Sequence, residues 1–569
     1  MHIDIIPNRN SKPAVLLRES YRDGKTVRKR TLANLSSLPM NQVEAIRLIL
    51  KGEKLQAVDE MFETVSSFQH GHVKAVLQAM ERLGFDKLIA SKPSRERDLV
   101  VAMVAWRIIR PASKLAMQRA WKDTTLTELL DIKGADEDDL YAAMDWLVAR
   151  QDKVEKKLAA RHLTEGGLVL YDLTSSYFEG SKCPLAKLGH NRDGVKGKLQ
   201  VNYGMLTDVR GCPVSVSVFD GNVGDPKTLL PEVDKVRKRF GVGELVLVGD
   251  RGMISQKQID ALEKMDGVAW LTALKTGAIR GLVEDGSIQL GLFDERNLFE
   301  IEHPDYPDER LVACRNPELA KLRAHKRQSL IEATKKELEK VRGMVGRGRL
   351  KSADAIGVRV GKVVNKYKVA KHFALDIREG GFDFRVDEEN VVSEAALDGI
   401  YVVRTSIPKE RMSADDAVRN YKKLSQVERA FRCFKSVDLK VRPIHHRDED
   451  RVRAHIFLCM LAYYVEWHMQ EALRPLLFSD EDQDAKTTRD PVAPAKRSSS
   501  ALAKIGTKET TEGFEAHSFR TLIDHLGGIV RNFCKRRGAD AAERADVIIE
   551  STPDPIQQHA FEILKEITL

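Results

Sequence analysis

The first segment of the chain alternates between apolar and polar residues. Residues 14–21 and 27–35 both follow this pattern, and Asp23 and Gly24 lie between them. An Asp-Gly pair between two alternating segments is typical of a tight β-hairpin turn. We therefore predict an N-terminal β-hairpin within residues 1–40, and its strands carry several arginines and lysines.

The next segment, residues 41–165, has apolar residues at helical spacing. The pattern is interrupted at Gly84, at residues 91–93 and at Pro111, where helices commonly end. These features predict a helical region of several short helices.

Two pieces of this helical region carry a candidate DNA-binding function. Residues 113–121 and 138–149 could be the two helices of a DNA-reading module. Helix-turn-helix pairs have no secure signature in a single sequence, so a plain bundle with a basic solvent-facing side explains the pattern at least as well. Both interpretations stay open at this point.

From residue 166 the helical pattern gives way to short apolar runs between turns. An Asp-Pro pair at Asp225 and Pro226 supplies a helix cap and a proline at the first helical position. The order is strand, strand, strand, helix, strand. The predicted elements are strands at residues 168–171, 199–207 and 214–219, a helix from 226 to about 240, and a strand at 244–249.

The second half of the chain mixes short strands, helices and a polar segment. Its basic helix at residues 317–351 holds eleven basic and four acidic residues. The predicted domains are a first core part at 166–276, an insertion at 277–394, a second core part at 395–478, a linker at 479–513 and a helical tail at 514–569.

Composition narrows the class of protein. Hydrophobic residues make up 42% of the chain and charged residues 31%, which excludes wholesale disorder. The six cysteines form no CxxC pair, and the longest apolar stretch, residues 456–465, is too short to span a bilayer. No charged and apolar leader follows Met1, so we expect a bacterial cytoplasmic protein without a membrane partner. The net charge of +9 favours a nucleic acid as partner.

Three acidic residues are the candidates for chemistry. Asp172 closes the first predicted strand and Asp250 follows the fourth, so in neighbouring strands both carboxylates would emerge at one sheet edge. Glu428 lies on a predicted helix where Tyr421 and Lys435 repeat at seven-residue steps, which places the three on one helical face. Converging carboxylates suit divalent metal ions that act on phosphate.

Each of these residues also has an ordinary explanation. A strand-terminal Asp is often a turn or cap residue, and a helical Glu beside Arg and Lys is often part of a solvated ion-pair face. Their joint placement favours chemistry, because this order of elements with acids after its first and last strands is what a ribonuclease-H-like core requires. We predict the α/β fold class, with an RNase-H-like catalytic core interrupted by a mixed β/α insertion.

With these residues the chain resembles a known family, the DDE-type transposases of bacterial insertion sequences. The resemblance is to the branch in which a β-rich insertion separates the second Asp from the Glu and whose catalytic helix has a Tyr-(2)-Arg-(3)-Glu-(6)-Lys signature. Leu424 stands at the Arg position of that signature, so the contact is either lost or supplied by Lys423 or Arg432. The segments that carry the resemblance are residues 171–174, 221–225, 248–252 and 421–435.

The resemblance implies an activity and a cofactor. Asp172, Asp250 and Glu428 would bind two Mg²⁺ or Mn²⁺ ions, one activating the attacking water or 3′-hydroxyl and the other stabilising the leaving oxygen. The implied function is cleavage of DNA at the ends of an insertion sequence followed by strand transfer into target DNA. Two alternatives stay open: a related metal-dependent nuclease that cuts without joining, and a domesticated DNA-binding protein that has lost catalysis.

The implied partners are double-stranded DNA, both element ends and target, and a second copy of the chain in a homodimer on DNA. The protein would be associated with the nucleoid when it acts. The candidate DNA-contacting residues are Tyr421, Lys423, Arg432, Lys435, Arg192 and Arg251.

Overall fold

The computed structural model describes residues 1–9, 11–53, 62–289, 291, 293, 297–483, 489–536 and 547–569. The strands are β1 (His2–Ile6), β2 (Ala14–Asp23), β3 (Thr26–Asn34), β4 (Phe62–Gln69), β5 (Gly167–Tyr177), β6 (Gln200–Thr207), β7 (Pro213–Asp220), β8 (Leu245–Val248), β9 (Val268–Ala273), β10 (Leu298–Ile301), β11 (Arg310–Arg315), β12 (Phe373–Arg378), β13 (Gly381–Val386), β14 (Ile400–Thr405), β15 (Val530–Arg536) and β16 (Val547–Glu550).

The helices are numbered in the same way. They are α1 (Met40–Leu50), α2 (Gly71–Arg82), α3 (Phe85–Ile89), α4 (Arg95–Ile109), α5 (Lys114–Ala120), α6 (Leu126–Leu129), α7 (Glu137–Val148), α8 (Gln151–His162), α9 (Pro226–Asp234), α10 (Gln256–Leu262), α11 (Thr276–Glu284), α12 (Pro317–Gly346), α13 (Ala353–Tyr367), α14 (Glu388–Ala395), α15 (Ala414–Lys422), α16 (Leu424–Arg432), α17 (Glu449–Ala472), α18 (Ser499–Thr507), α19 (Phe519–Leu526) and α20 (Pro555–Lys565). In the described part of the chain, no helix is both long enough and apolar enough to cross a membrane.

The chain forms two compact units. The smaller contains residues 1–68 and 529–552, and the larger contains residues 69–528 and 553–569. In the smaller unit β2 and β3 pair as the predicted antiparallel hairpin, with Gly24 at a φ of 62° in the turn, and β1 adds a third strand. The hairpin prediction is confirmed.

Two predictions about the smaller unit are wrong. The predicted helical region contains β4, and the predicted helical tail contains β15 and β16. β4 and β15 are neighbours in one three-stranded sheet, where the rings of Phe68 and Phe533 meet with centroids 5.7 Å apart. Because a strand depends on its cross-strand partner more than on its own sequence, a pairing this distant in the chain is not visible locally.

The larger unit is built around a mixed sheet of eight strands. The order is β10-β11-β14-β9-β8-β5-β6-β7. β5, β6 and β7 are antiparallel neighbours, whereas β5, β8 and β9 run parallel to one another. The predicted strand order along the chain is confirmed, and the parallel pairs place the carboxyl ends of β5 and β8 at the same edge.

The segment predicted as an insertion has two parts. Its strands β10 and β11 join the eight-stranded sheet through β14, so they share the sheet of the core. The rest packs around its own apolar cluster, to which α12, α13 and the β12–β13 hairpin contribute Leu338, Val360 and Phe382. On the surface of α12, pairs such as Lys340 and Glu337 form the ordinary ion pairs of an exposed helix.

Helical spacing over residues 413–473 predicts a long helical region, and the structure forms it from separate helices. α15 ends at Lys422, α16 covers the next segment, and a π turn follows at Cys433–Val437. A loop at 438–448 then leads into α17, which is buried along most of its length. The π turn changes the helical phase after Arg432, so the predicted seven-residue stack cannot extend regularly to Lys435.

Candidate active site

The two aspartates lie at matching positions on neighbouring parallel strands. Leu170 of β5 is the register partner of Val248 of β8, and Asp172 and Asp250 each follow two residues later. Since residues two apart in extended chain face the same side, both carboxylates are placed at one edge of the sheet. The prediction that Asp172 closes its strand is wrong, because β5 continues to Tyr177 by pairing with β6.

α16 brings Glu428 to this edge. Val427, Ala430 and Phe431 are buried on one side of the helix, while Glu428 and Arg432 are on the exposed side. The ring of Phe431 meets that of Tyr203 on β6 at a centroid distance of 6.0 Å. This apolar face fixes α16 against the sheet and leaves the carboxylate of Glu428 free to face the aspartates.

Electrostatics shows that the three carboxylates are close enough to interact. The pKa of Asp172 is raised to about 7, first by burial and then by the charges of Asp250 and Glu428. The backbone N–H of Leu173, which donates to Asp172 Oδ1 at 2.8 Å, and the Arg192 guanidinium oppose this rise. A carboxylate cluster of this kind holds a proton near neutral pH and favours a cation in its place.

Tyr421 and Arg251 border the same cluster. Burial raises the pKa of Tyr421 to about 12, with the charges of Asp250 and Glu428 adding to the rise and Arg251 opposing it. Arg251 is exposed, and Asp250 accepts a hydrogen bond from the Gly252 N–H. Tyr421 on α15 and Glu428 on α16 are therefore close enough to interact despite the division between the two helices, and their stacking on one helical face stays a prediction.

Arg192 reaches the site from the loop before β6. Its guanidinium donates to Asp225, and its backbone N–H donates to Ser175 Oγ at 3.3 Å. Asp225 was predicted as the N-cap of α9, but its side chain makes no capping hydrogen bond there. The carboxylate pairs with Arg192 instead, which holds this cation within reach of Asp172.

Lys435 is occupied in a buried ion-pair group that sequence reasoning missed. Its Nζ lies 2.9 Å from Asp193 Oδ1, and Arg442 reaches the same oxygen at 2.5 Å. The Asp193 side chain is only 2% exposed and also accepts the Tyr177 N–H at 3.0 Å. Lys435 thus anchors the loop that carries Arg192, and a direct phosphate contact would require this pair to open.

The remaining candidates differ in exposure. Arg432 is exposed on the side of α16 that carries Glu428, whereas Lys423 is half-buried at the junction of α15 and α16, where burial lowers its pKa. Leu424, at the position of the signature Arg, is also half-buried. Of the two substitutes for that Arg, Arg432 has the better access to a ligand.

The donor set fits a hard divalent cation. All three side chains offer oxygen, the ligand that Mg²⁺ and Mn²⁺ prefer, and their mutual repulsion is relieved when a cation binds. Arg192 and Arg251 add positive charge beside the cluster without occupying the carboxylates as direct ion-pair partners. The carboxylates therefore suit a divalent cation, and the neighbouring arginines suit a phosphate group.

The raised pKa of Asp172 predicts a pH-dependent metal affinity. The folded metal-free protein keeps Asp172 protonated up to about pH 7. The contribution of this protonated carboxyl to the free energy of unfolding is therefore present at low pH and is lost as the pH rises through 7. An ion must displace the proton, so Mn²⁺ affinity should rise about tenfold from about pH 6 to about pH 8. Calorimetric titration with Mn²⁺ measures this, and Asp172→Asn should remove the dependence. An affinity of the wild-type protein that does not change with pH would contradict it.

Comparisons with known proteins give three findings. Residues 165–465 match the family described as Transposase DDE domain, and residues 3–64 match the one described as IS1634 family transposase, N-terminal domain. No curated protein matches the chain. Among solved structures, a cryo-EM structure of a piggyBac transposase synaptic complex with hairpin DNA aligns over 80% of this chain and 77% of that chain, with 8% identity and a TM-score of 0.33.

Proposed function

The chain belongs to the transposase DDE domain family, and from this premise we propose that Asp172, Asp250 and Glu428 are its catalytic, metal-binding residues. As a member of that family it is an enzyme of DNA transposition, which cleaves DNA and transfers strands with divalent metal ions. The proposal concerns which side chains perform this reaction.

One observation carries the proposal: the charges of Asp250, at the end of β8, and of Glu428, on α16, both act on Asp172 of β5 at one sheet edge. The five strands β7-β6-β5-β8-β9 make two antiparallel pairings and then two parallel pairings, an order that fits an RNase-H-like core. In this interpretation residues 277–394 are inserted between the second and third acids.

We assign the three carboxylates two divalent ions, Mg²⁺ or Mn²⁺. When bound, these ions would supply an activated nucleophile and stabilise negative charge at the scissile phosphate. Asp172 gives up its proton on binding, because its raised pKa otherwise keeps the carboxyl neutral near pH 7. Arg192, held by Asp225, and the exposed Arg251 and Arg432 are placed to contact phosphate oxygens.

Binding of the element ends is assigned to the region before the core. The hairpin in residues 1–40 is rich in basic residues, and the helices of residues 41–165 offer the second candidate surface. We propose that two copies act together on DNA in the bacterial cytoplasm, at the nucleoid. Mass photometry of the chain with and without DNA would test the dimer.

A cleavage and joining assay tests the function. The purified chain with Mg²⁺ and a duplex that carries the terminal repeats of its element should nick the element end and join the 3′-hydroxyl to a target plasmid. EDTA should abolish both reactions, and added Mn²⁺ should restore them. Binding to the duplex should weaken steeply with salt because counterions are released. Cleavage without joined product would identify a nuclease, and binding without cleavage would identify an inactive DNA-binding protein.

A further inference from the structure

A cavity of about 490 Å³ in the larger unit is lined mainly by basic side chains. It lies among α4, the turn before α5, α7, the loop at 440–448 and the start of α17. We call it the basic cavity. Its cationic lining residues are Arg107, Lys114, Lys440, Arg442, Arg447 and Arg451.

The acids of the basic cavity are already engaged. Glu137 accepts the hydroxyl of Tyr141 at 3.0 Å, and Asp448 caps α17 by accepting the N–H groups of Asp450 and Arg451. The lining has six cations and two acids, and two of the cations, Arg442 and Arg451, pair with Asp193 and Asp145 outside it.

Two of the cations are buried without an acidic partner. Arg107 is 6% exposed and Lys114 is 4% exposed, yet within the described ranges neither has a carboxylate at ion-pair distance. Arg107 has one weak hydrogen bond, to the carbonyl of Leu439 at 3.4 Å. Buried charges are normally paired, because an unpaired one loses its hydration without compensation. These two therefore leave the cavity in need of an anion.

The pKa values of neighbouring groups are lowered by the positive charges around the basic cavity. Burial and the adjacent Arg107 lower the pKa of Lys114 to about 7. His446 and His455 also line the cavity, and the pKa of His446 falls to about 3 through burial and the charges of Lys114, Arg107 and Arg451. The histidines stay neutral and offer ring nitrogens instead of charge.

The basic cavity is connected to the candidate active site through Arg442. This residue lines the cavity and also holds Asp193, the residue next to Arg192. The positive charge of Arg192 in turn lowers the pKa of Asp172. The candidate active site and the basic cavity are thus joined by a chain of contacts that runs from Arg442 through Asp193 to the loop that carries Arg192.

We propose that the basic cavity is a phosphate-binding subsite that takes a backbone phosphate of the DNA on which the enzyme acts, with Lys114 and Arg107 as its principal ligands. This inference rests on the proposed function for its choice of DNA. A phosphodiester supplies the one compact negative charge and the several acceptor oxygens that two buried cations and neutral histidines fit. A free phosphate ion shares this chemistry and is the other source that the experiment separates.

The test compares Lys114→Met with Lys264→Met in the full chain. Lys264 is exposed, lies outside the basic cavity and belongs to no surface assigned to DNA, so it controls for the loss of one positive charge. Fluorescence anisotropy with a labelled duplex that carries the terminal repeat should show about tenfold weaker binding for Lys114→Met, and a salt slope lower by about one. The control should bind like the wild type. The thermal midpoint of the DNA-free protein should stay the same or rise in Lys114→Met, because the buried amine, whose pKa is lowered to about 7, makes no ion pair with the described residues that the change would break.

Three results would overturn the proposal. Equal duplex affinity of the two variants would show that Lys114 contacts no DNA phosphate. A lowered midpoint of the DNA-free protein with unchanged duplex affinity would assign Lys114 a structural role. If inorganic phosphate raises the midpoint of the wild type but not of Lys114→Met while duplex affinity is equal, the site binds free phosphate. Duplex binding is read without cleavage, so failure of the catalytic assignment leaves this test intact.

Discussion

Asp250→Asn should reduce DNA cleavage by about a thousandfold or more while leaving binding to the terminal repeat largely unchanged. The amide keeps the size of the side chain but removes one of three negative charges that the metal ions require. The carboxylate of Asp250 is exposed and supports no packing, so the fold should persist. Single-turnover cleavage of a labelled duplex at saturating Mg²⁺ measures the loss.

Matched substitutions make this prediction specific to the site. Asp172→Asn and Glu428→Gln should show losses of the same order, because all three carboxylates share the ions. Asp260→Asn is the control, since Asp260 lies on α10 and accepts only a hydrogen bond from Gln256. Cleavage by Asp250→Asn within tenfold of the wild-type rate would remove this residue from the site.

Asp193→Asn should lower the free energy of unfolding of the larger unit by about 3 kcal/mol. The side chain is almost fully buried, and its charge compensates both Lys435 and Arg442. An amide leaves two cations without a counter-charge, which burial penalises. Urea denaturation followed by tryptophan fluorescence measures the change, because all five tryptophans of the chain are in the larger unit.

A second acid-to-amide change provides the control for Asp193. Glu179 pairs with Lys198 at 2.8 Å, but both side chains are more than one-third exposed. Glu179→Gln should therefore cost less than about 1 kcal/mol. Similar losses in the two variants would show that Asp193 does not hold the loop as proposed. The cleavage rate should also fall in Asp193→Asn, because Arg192 loses its anchored loop.

Local patterns predicted the parts of the fold that depend on neighbouring sequence. The N-terminal hairpin follows from alternation and an Asp-Gly turn, and the order of β5 to β8 follows from short apolar runs between breakers. The two candidate aspartates were chosen from their positions after such runs, and Glu428 from its spacing on a predicted helix. Even so, the length of β5 was underestimated, because its second half is stabilised by β6 and not by its own apolar residues.

The remaining features depend on pairings between distant residues. Asp225 has the sequence context of a helix cap, yet it pairs with Arg192, 33 residues before it. Lys435 has the spacing of a ligand-contacting residue, yet it binds Asp193, 242 residues before it. The partner of each side chain depends on which residues the folded sheet brings near it. The local pattern of the sequence does not reveal that proximity. The strands β4 and β15 were missed for the same reason.

The late position of α16 has a consequence for synthesis of the protein. Glu428 lies 178 residues after Asp250, on a helix that packs against β5 and β6. During translation the first two acids therefore emerge long before the third, so a ribosome must pass residue 432 before a complete centre can form. Truncated products that stop inside the inserted segment would retain the N-terminal regions but have no nuclease activity, and they could compete with the complete enzyme for the element ends.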